Sequence, residues 1–170
     1  MKYNLYIMKT STWTQLAFCL LSSVFYACNS SHVYYLDATS GSDQNNGTSP
    51  RSAWQSIEAL KQSSLQPGDK ILLKKGETFP GILEVTGKGT YTHPIIIDAY
   101  GEGNQKPCIA GNDTSMYAVR IFNSDYFTIQ NLEISNTGKE RKAGRTGLKV
   151  ECTDYGISHN IRINNLTIRD

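Results

Sequence analysis

Residues 119–136 read VRIFNSDYFTIQNLEISN and residues 161–170 read IRINNLTIRD, two stretches in which apolar and polar side chains alternate. Such alternation belongs to a strand with one face in a core and the other in water. Laid over each other, the stretches set Ile129 on Ile163, Asn131 on Asn165, Leu132 on Leu166 and Ile134 on Ile168. The shared pattern is a short strand, an Asn, and a second short strand. Asn accepts the left-handed backbone better than other residues with a side chain, so it turns the chain sharply between the two. One such unit cannot bury its own apolar face, but a stack of copies can. The pattern predicts an all-β solenoid of parallel strands, a β-helix.

Residues 33–38 (VYYLDA) are rich in strand formers and predict the first strand, followed by a turn-rich loop over 39–48. Asp43, Asn45 and Gly47 in that loop faintly resemble a calcium loop. Trp54, however, stands where such a loop needs its glutamate, so side-chain to backbone hydrogen bonds are the better expectation. Ser52 and Gln55 fit a capping box, and Ala53, Ile57 and Leu60 fall on one side of a helix. They predict a short N-terminal capping α-helix of about three turns, ending near Ser63, that covers the open first coil. Further strands are expected over 70–74, 82–85, 94–98 and 107–110, with turns at 67–69 and 76–81.

Composition adds a destination. The 170 residues suffice for one domain with a core, and 14 glycines with sparse charge suit a β-rich chain rather than a disordered one. Residues 1–27 read as a lipoprotein-type signal peptide, in which Lys2 and Lys9 precede an apolar run over 16–27. That run is shorter than the roughly 20 residues a membrane span requires. Ala27 before Cys28 fits lipidation of Cys28, although Phe25 stands where an aliphatic residue is usual. Residues 28–170 are then the N-terminal cap and first rungs of a parallel β-helix domain. Loss of Lys2 and Lys9 with the signal leaves 15 of the 17 basic residues against 15 acidic ones, a neutral balance with no footprint for nucleic acid. Cys108 and Cys152 read as small buried residues, with a disulfide permitted in an oxidising compartment. No Cys/His spacing suits zinc.

The order YYLDA (34–38), NGTSP (46–50), Ala53-Trp54, PGD (67–69), KGET (75–78), PIII (94–97), AYG (99–101) and IAG (109–111) carries a family resemblance. It resembles the N-terminal portion of right-handed parallel β-helix proteins of the pectate-lyase-like superfamily, exported in number by Bacteroides-type bacteria. The resemblance implies a right-handed single-stranded solenoid, truncated here on its C-terminal side, so that the catalytic rungs lie beyond Asp170. It implies a polysaccharide lyase or glycoside hydrolase, or else a non-catalytic carbohydrate-binding or cell-surface structural β-helix. No cofactor is implied for these residues; calcium enters only where the full-length protein is a lyase. The implied partners are a polysaccharide, anionic in the lyase case, and the outer membrane through the lipid anchor. The implied location is that membrane, the periplasm or the cell surface.

Elimination on an acidic polysaccharide needs a cation on the uronate and a base for the neighbouring proton, whereas hydrolysis needs two carboxyl groups facing one bond. Between the two repeat copies lies TGKERKAGRTG (137–147), which presents Lys139, Arg141, Lys142 and Arg145. Arg141, Lys142 and Arg145 are candidate substrate contacts, because guanidinium pairs bidentately with carboxylate and sulfate. The plain alternative is a solvated loop. Glu151, Asp154 and His159 follow and could approach it, but no catalytic residue is assigned. His32 and His93 have no visible partner, and Asn131 and Asn165 read as bend residues rather than binders.

Overall fold

A computed structural model describes residues 30–169. The expected signal peptide and Cys28 lie outside the described residues. The described chain is almost entirely β: β1 (Val33–Leu36), β2 (Lys70–Lys74), β3 (Thr78–Pro80), β4 (Leu83–Val85), β5 (Ile95–Tyr100), β6 (Cys108–Ala110), β7 (Tyr117–Phe122), β8 (Phe127–Gln130), β9 (Glu133–Ser135), β10 (Thr146–Glu151), β11 (Arg162–Asn164) and β12 (Thr167–Arg169). They form three parallel sheets ordered β1-β2-β5-β8-β11, β3-β6-β9-β12 and β4-β7-β10. From β2 onward consecutive strands visit the first, second and third sheet in turn, and each new coil pairs with the one before, giving a β-helix-like fold.

Inward positions stack into ladders. In the first sheet Ile71, Ile97, Ile129 and Ile163 are in register, and in the second Phe79, Ile109, Ile134 and Ile168. The third aligns Leu83, Val119 and Leu148, with Val85, Ile121 and Val150 beside them. Ile71, Ile97, Ile129, Phe79, Ile109 and Ile134 are wholly buried. Each such side chain contributes about 1.5–3 kcal/mol relative to exposure. The two look-alike stretches pair directly, Ile129 with Ile163 and Ile134 with Ile168. Between them Asn131 (φ 59°) and Asn165 (φ 47°) make the bend, and Asn165 Nδ2 donates to Asn131 Oδ1 at 2.8 Å. Asn131 Nδ2 in turn donates to Asp98 Oδ1 at 2.7 Å, which extends this polar row along the corner.

The capping helix is a correction. No α-helix occurs among the described residues; two 3-10 segments, Pro50–Ser52 and Ile57–Gln62, stand in its place. The capping-box residues are drawn away by stronger partners. Trp54 N–H donates to Tyr35 O at 2.9 Å and Asp37 N–H to Trp54 O at 2.8 Å, so Ala53 and Trp54 run extended beside β1. Ser49 rather than Ser52 caps the first segment, its hydroxyl accepting from Ser52 N–H. Asp43 accepts from the N–H groups of Gln55 and Ser56 at 2.9 and 2.8 Å and from the Ser56 hydroxyl at 2.7 Å. The apolar pattern nonetheless has its effect, since Ile57, Ala59 and Leu60 are buried in the core.

Two smaller differences follow from local geometry. Residues 76–81, expected as a turn, contain β3, a three-residue strand bracketed by Gly76 and Gly81 at positive φ. Cys152 is exposed and Cys108 half-buried, and both are free thiols, so burial of both does not hold.

Position along the stack sets the cost of a cavity. Ile129→Ala should destabilise the fold by about 2–5 kcal/mol. Ile163→Ala, on the same ladder but 49% exposed, should cost less than about 1 kcal/mol. Urea unfolding of the two variants measures the difference.

Candidate functional site

The strand-to-strand connection after β9 leaves the coil as the loop 136–145 and encloses a cleft of about 640 Å³. Its base is Asn136, almost wholly buried, whose Nδ2 donates to Thr146 O at 2.9 Å. Gly111 is required beneath it, because a Cβ there would fall 2.2 Å from Asn136 Oδ1. Arg141, Lys142 and Arg145 are brought together on this cleft with Glu140. Their exposure differs. Arg141 and Lys142 are open to solvent, whereas Arg145 folds under the loop, donating from Nη2 to Asp113 O at 2.5 Å. Its Nε and Nη1 are buried without a partner, and Gly138 packs so closely that any side chain there would collide with Nη1. Arg145 thus anchors the loop, and Arg141 and Lys142 carry its accessible charge. Lys139 is highly exposed, 4.0 Å from Asp113 Oδ2.

Glu151, Asp154 and His159 do not line this cleft. Glu151 points outward from the third sheet, where Arg120 is held 2.9 Å from both Glu84 and Glu151, with Lys149 3.0 Å from Glu151. Tyr117 Oη donates to Glu84 at 2.9 Å, and the Arg120 guanidinium lies over the Phe122 ring at 4.0 Å. Arg120 holds the Glu84 carboxyl below its ordinary range against the opposing effect of burial, and Lys149 leads the same shift at Glu151. His159 instead meets Asp125, donating from its backbone N–H at 2.7 Å with Nδ1 at 3.1 Å. Tyr155 Oη donates to the other Asp125 oxygen at 2.5 Å, an interaction that heads the lowering of the Asp125 pKa. Burial, then Asp125, pushes the Tyr155 hydroxyl up to about 12. Asp154 forms a turn at φ 53°.

His32 pairs with the buried Asp69, Nδ1 to Oδ1 at 3.4 Å, and His93 Nδ1 meets the Thr92 hydroxyl at 2.9 Å. A further cluster has Lys74 Nζ 2.7 Å from Asp37 and 3.3 Å from Glu77. Sequence reasoning missed Glu84, Arg120, Asp37, Lys74 and Glu77. Lys74, Glu84 and Arg120 show only as polar or charged positions in apolar strands, Asp37 and Glu77 lie just outside strands, and knowing which of them meet requires the coil register. Among the described residues no group of three or more His, Cys, Asp or Glu is placed to hold a metal ion. Asp43, from the faint calcium pattern, is occupied by Gln55 and Ser56.

The two carboxylates of the Arg120 cluster are alike in ionisation. A hydrolase needs one carboxyl that keeps its proton beside one that does not. Glu84 and Glu151 share a guanidinium and are both favoured as carboxylates.

No family profile matches the chain. A lacto-N-biosidase of Bifidobacterium longum is 31% identical over an alignment of 134 residues covering 64% of this chain and 8% of that protein. An alpha-1,3-galactosidase A of Akkermansia muciniphila is 32% identical over 66 residues, 39% of this chain and 11% of that one. The crystal structure of the GH136 lacto-N-biosidase from Eubacterium ramulus matches 93% of this chain and 29% of its own, with a TM-score of 0.75 and 30% identity. The chain therefore spans about a tenth of the curated relatives it matches and under a third of the solved one.

The carboxylates give the fold an acid dependence of fixed sign. Glu84, Glu151 and Asp125 have lowered pKa values in the folded state. The stability they contribute is present above their ordinary values and is lost as pH falls through the folded ones. Thermal midpoints should drop between about pH 5 and about pH 3, and drop less in Glu151→Gln.

Proposed function

We propose that this chain supplies the opening coils of an exported, glycan-active protein with a right-handed, single-stranded β-helix of the pectate-lyase-like kind found in Bacteroides-type bacteria. The observation that carries the reading is the likeness to the GH136 lacto-N-biosidase across 93% of the chain at 30% identity. Both curated relatives are glycosidases by name, which favours a glycoside hydrolase over a lyase for the whole protein. The right hand is supported by the general rule for crossovers between parallel strands. Export and lipidation at Cys28, with an outer-membrane anchor, rest on Lys2, Lys9, the apolar run and Ala27-Cys28. In this reading Arg141 and Lys142 touch acidic or hydroxyl groups of the glycan, and Arg145 holds the loop that presents them.

Because Glu84 and Glu151 share one guanidinium and offer no unlike carboxyl pair, these coils are read as binding the glycan rather than cleaving it. Incubated with glycans ending in lacto-N-biose or α-1,3-linked galactose, the 170-residue chain should release no product detectable by chromatography. Release by the pure protein would overturn that division of labour. Arg141→Ala combined with Lys142→Ala should weaken retention on an acidic polysaccharide column at low salt, by at most about 1 kcal/mol per charge, with no fall in thermal midpoint. Unchanged retention would remove the loop from the account.

A further inference from the structure

At the corner where each coil passes from the first sheet to the second, residues of four successive coils line a cleft of about 350 Å³. Lys75 follows β2, Asp98 lies in β5, and Asn131 and Asn165 make the bends after β8 and β11. Neighbouring strands are about 4.8 Å apart, so the three steps from Lys75 to Asn165 extend roughly 14 Å along the stack. Hydrogen bonds between coils hold the walls. Lys75 N–H donates to Tyr100 O at 2.9 Å and Gly76 N–H to Gln105 O at 3.0 Å, which ties the loop 101–106 to the coil before it. From the end of that loop Lys106 Nζ crosses to Asn165 O at 2.8 Å and the Thr167 hydroxyl at 3.1 Å. Asp98 accepts from Ala99 N–H, Asn131 Nδ2 and Gln130 Nε2, each at 2.7 Å.

Charge in this cleft is left uncancelled. Lys74, one residue before Lys75, is spent on Asp37 and Glu77. Lys75 pairs with no carboxylate among the described residues, and Lys106 bonds a carbonyl and a hydroxyl, neither of which neutralises an ammonium. The one carboxylate in the lining, Asp98, stands against two ammoniums, one at each end. Between them lie groups suited to hydroxyls: the second N–H of Asn131 Nδ2, and Asn165 Oδ1, which accepts no bond among the described residues. Cations at the ends with amides between them complement a sugar chain whose rings carry both carboxylates and hydroxyls. We infer that this corner cleft binds a short acidic oligosaccharide laid along the stacking axis, its carboxylates at Lys75 and Lys106 and its hydroxyls on Asp98, Asn131 and Asn165. The inference rests on the glycan reading above but concerns a second site. Asn131 precedes β9 whereas Asn136, the base of the loop cleft, follows it, a separation of roughly 16 Å along the strand.

The side-chain amide signals of Asn131 and Asn165, followed by nuclear magnetic resonance in the isotope-labelled 170-residue chain, report on this cleft and not on the loop. At low salt a β-1,4-linked glucuronic acid trimer should move them, and cellotriose, which differs only in lacking the carboxylates, should not. Lys75→Gln, at a half-buried side chain on a turn, should weaken binding of the acidic trimer about three- to fivefold with an unchanged thermal midpoint, and Lys75→Arg should restore it. Equal shifts with both trimers, or an affinity for the acidic one that Lys75→Gln leaves as it was, overturn the assignment. Unmoved amides in a chain that the acidic polysaccharide column still retains overturn the second site and leave the glycan reading standing. Unmoved amides in a chain that no glycan retains overturn both.

Discussion

Every coil of this chain depends on its neighbours to keep its apolar side chains out of water. A three-residue strand such as β3 or β6 has one inward residue, Phe79 or Ile109, and cannot make a core alone. In register with Ile134 those two become part of a continuous ladder, wholly buried. Further along, Val150, Ile163 and Ile168 occupy the same kind of inward position in β10, β11 and β12, yet are 44, 49 and 52% exposed. Their partners Ile121, Ile129 and Ile134 are covered on both sides and bury almost completely. Burial in this fold is a property of the stack, because side-chain type and strand pattern are the same in both cases.

Polar groups follow the same logic at the corners. A sharp bend between strands needs a left-handed residue, and Asn supplies it at Asn131 and Asn165. Stacking then places the two amides in line, so each bend residue also bonds the next coil, down to Asp98. Outward-facing charges are ordered in rows as well. Arg120 stands between Glu84 and Glu151 because its strand β7 lies between theirs, and Arg120 at Glu84 and Lys149 at Glu151 lead the lowering of the two carboxyl pKa values.

The parts of the fold legible in the sequence are those written as local period. Alternation and the returning Asn were enough to pair Ile129 with Ile163 and Ile134 with Ile168. The helix over 52–63 was misread because Ser52, Gln55 and the apolar residues satisfy a local helical pattern, while the winning interactions are long-range: Trp54 with β1, and Asp43 with Gln55 and Ser56. For the candidate site, the basic loop was legible as an insertion, and its four cations as charge. That Arg145 turns under the loop depends on Gly138 and on the carbonyl of Asp113, 32 residues away, which no local reading supplies. The Arg120 cluster was invisible for the same reason.

The central claim is that the two look-alike stretches are adjacent turns of one coil sharing a core. Nuclear Overhauser contacts between isoleucine methyl groups in the selectively labelled 170-residue chain test it most directly. The account predicts two unbroken series, Ile71–Ile97–Ile129–Ile163 and Ile109–Ile134–Ile168. Loss of the Ile129–Ile163 and Ile134–Ile168 contacts, with Ile163 or Ile168 meeting residues of a different sheet instead, would contradict it.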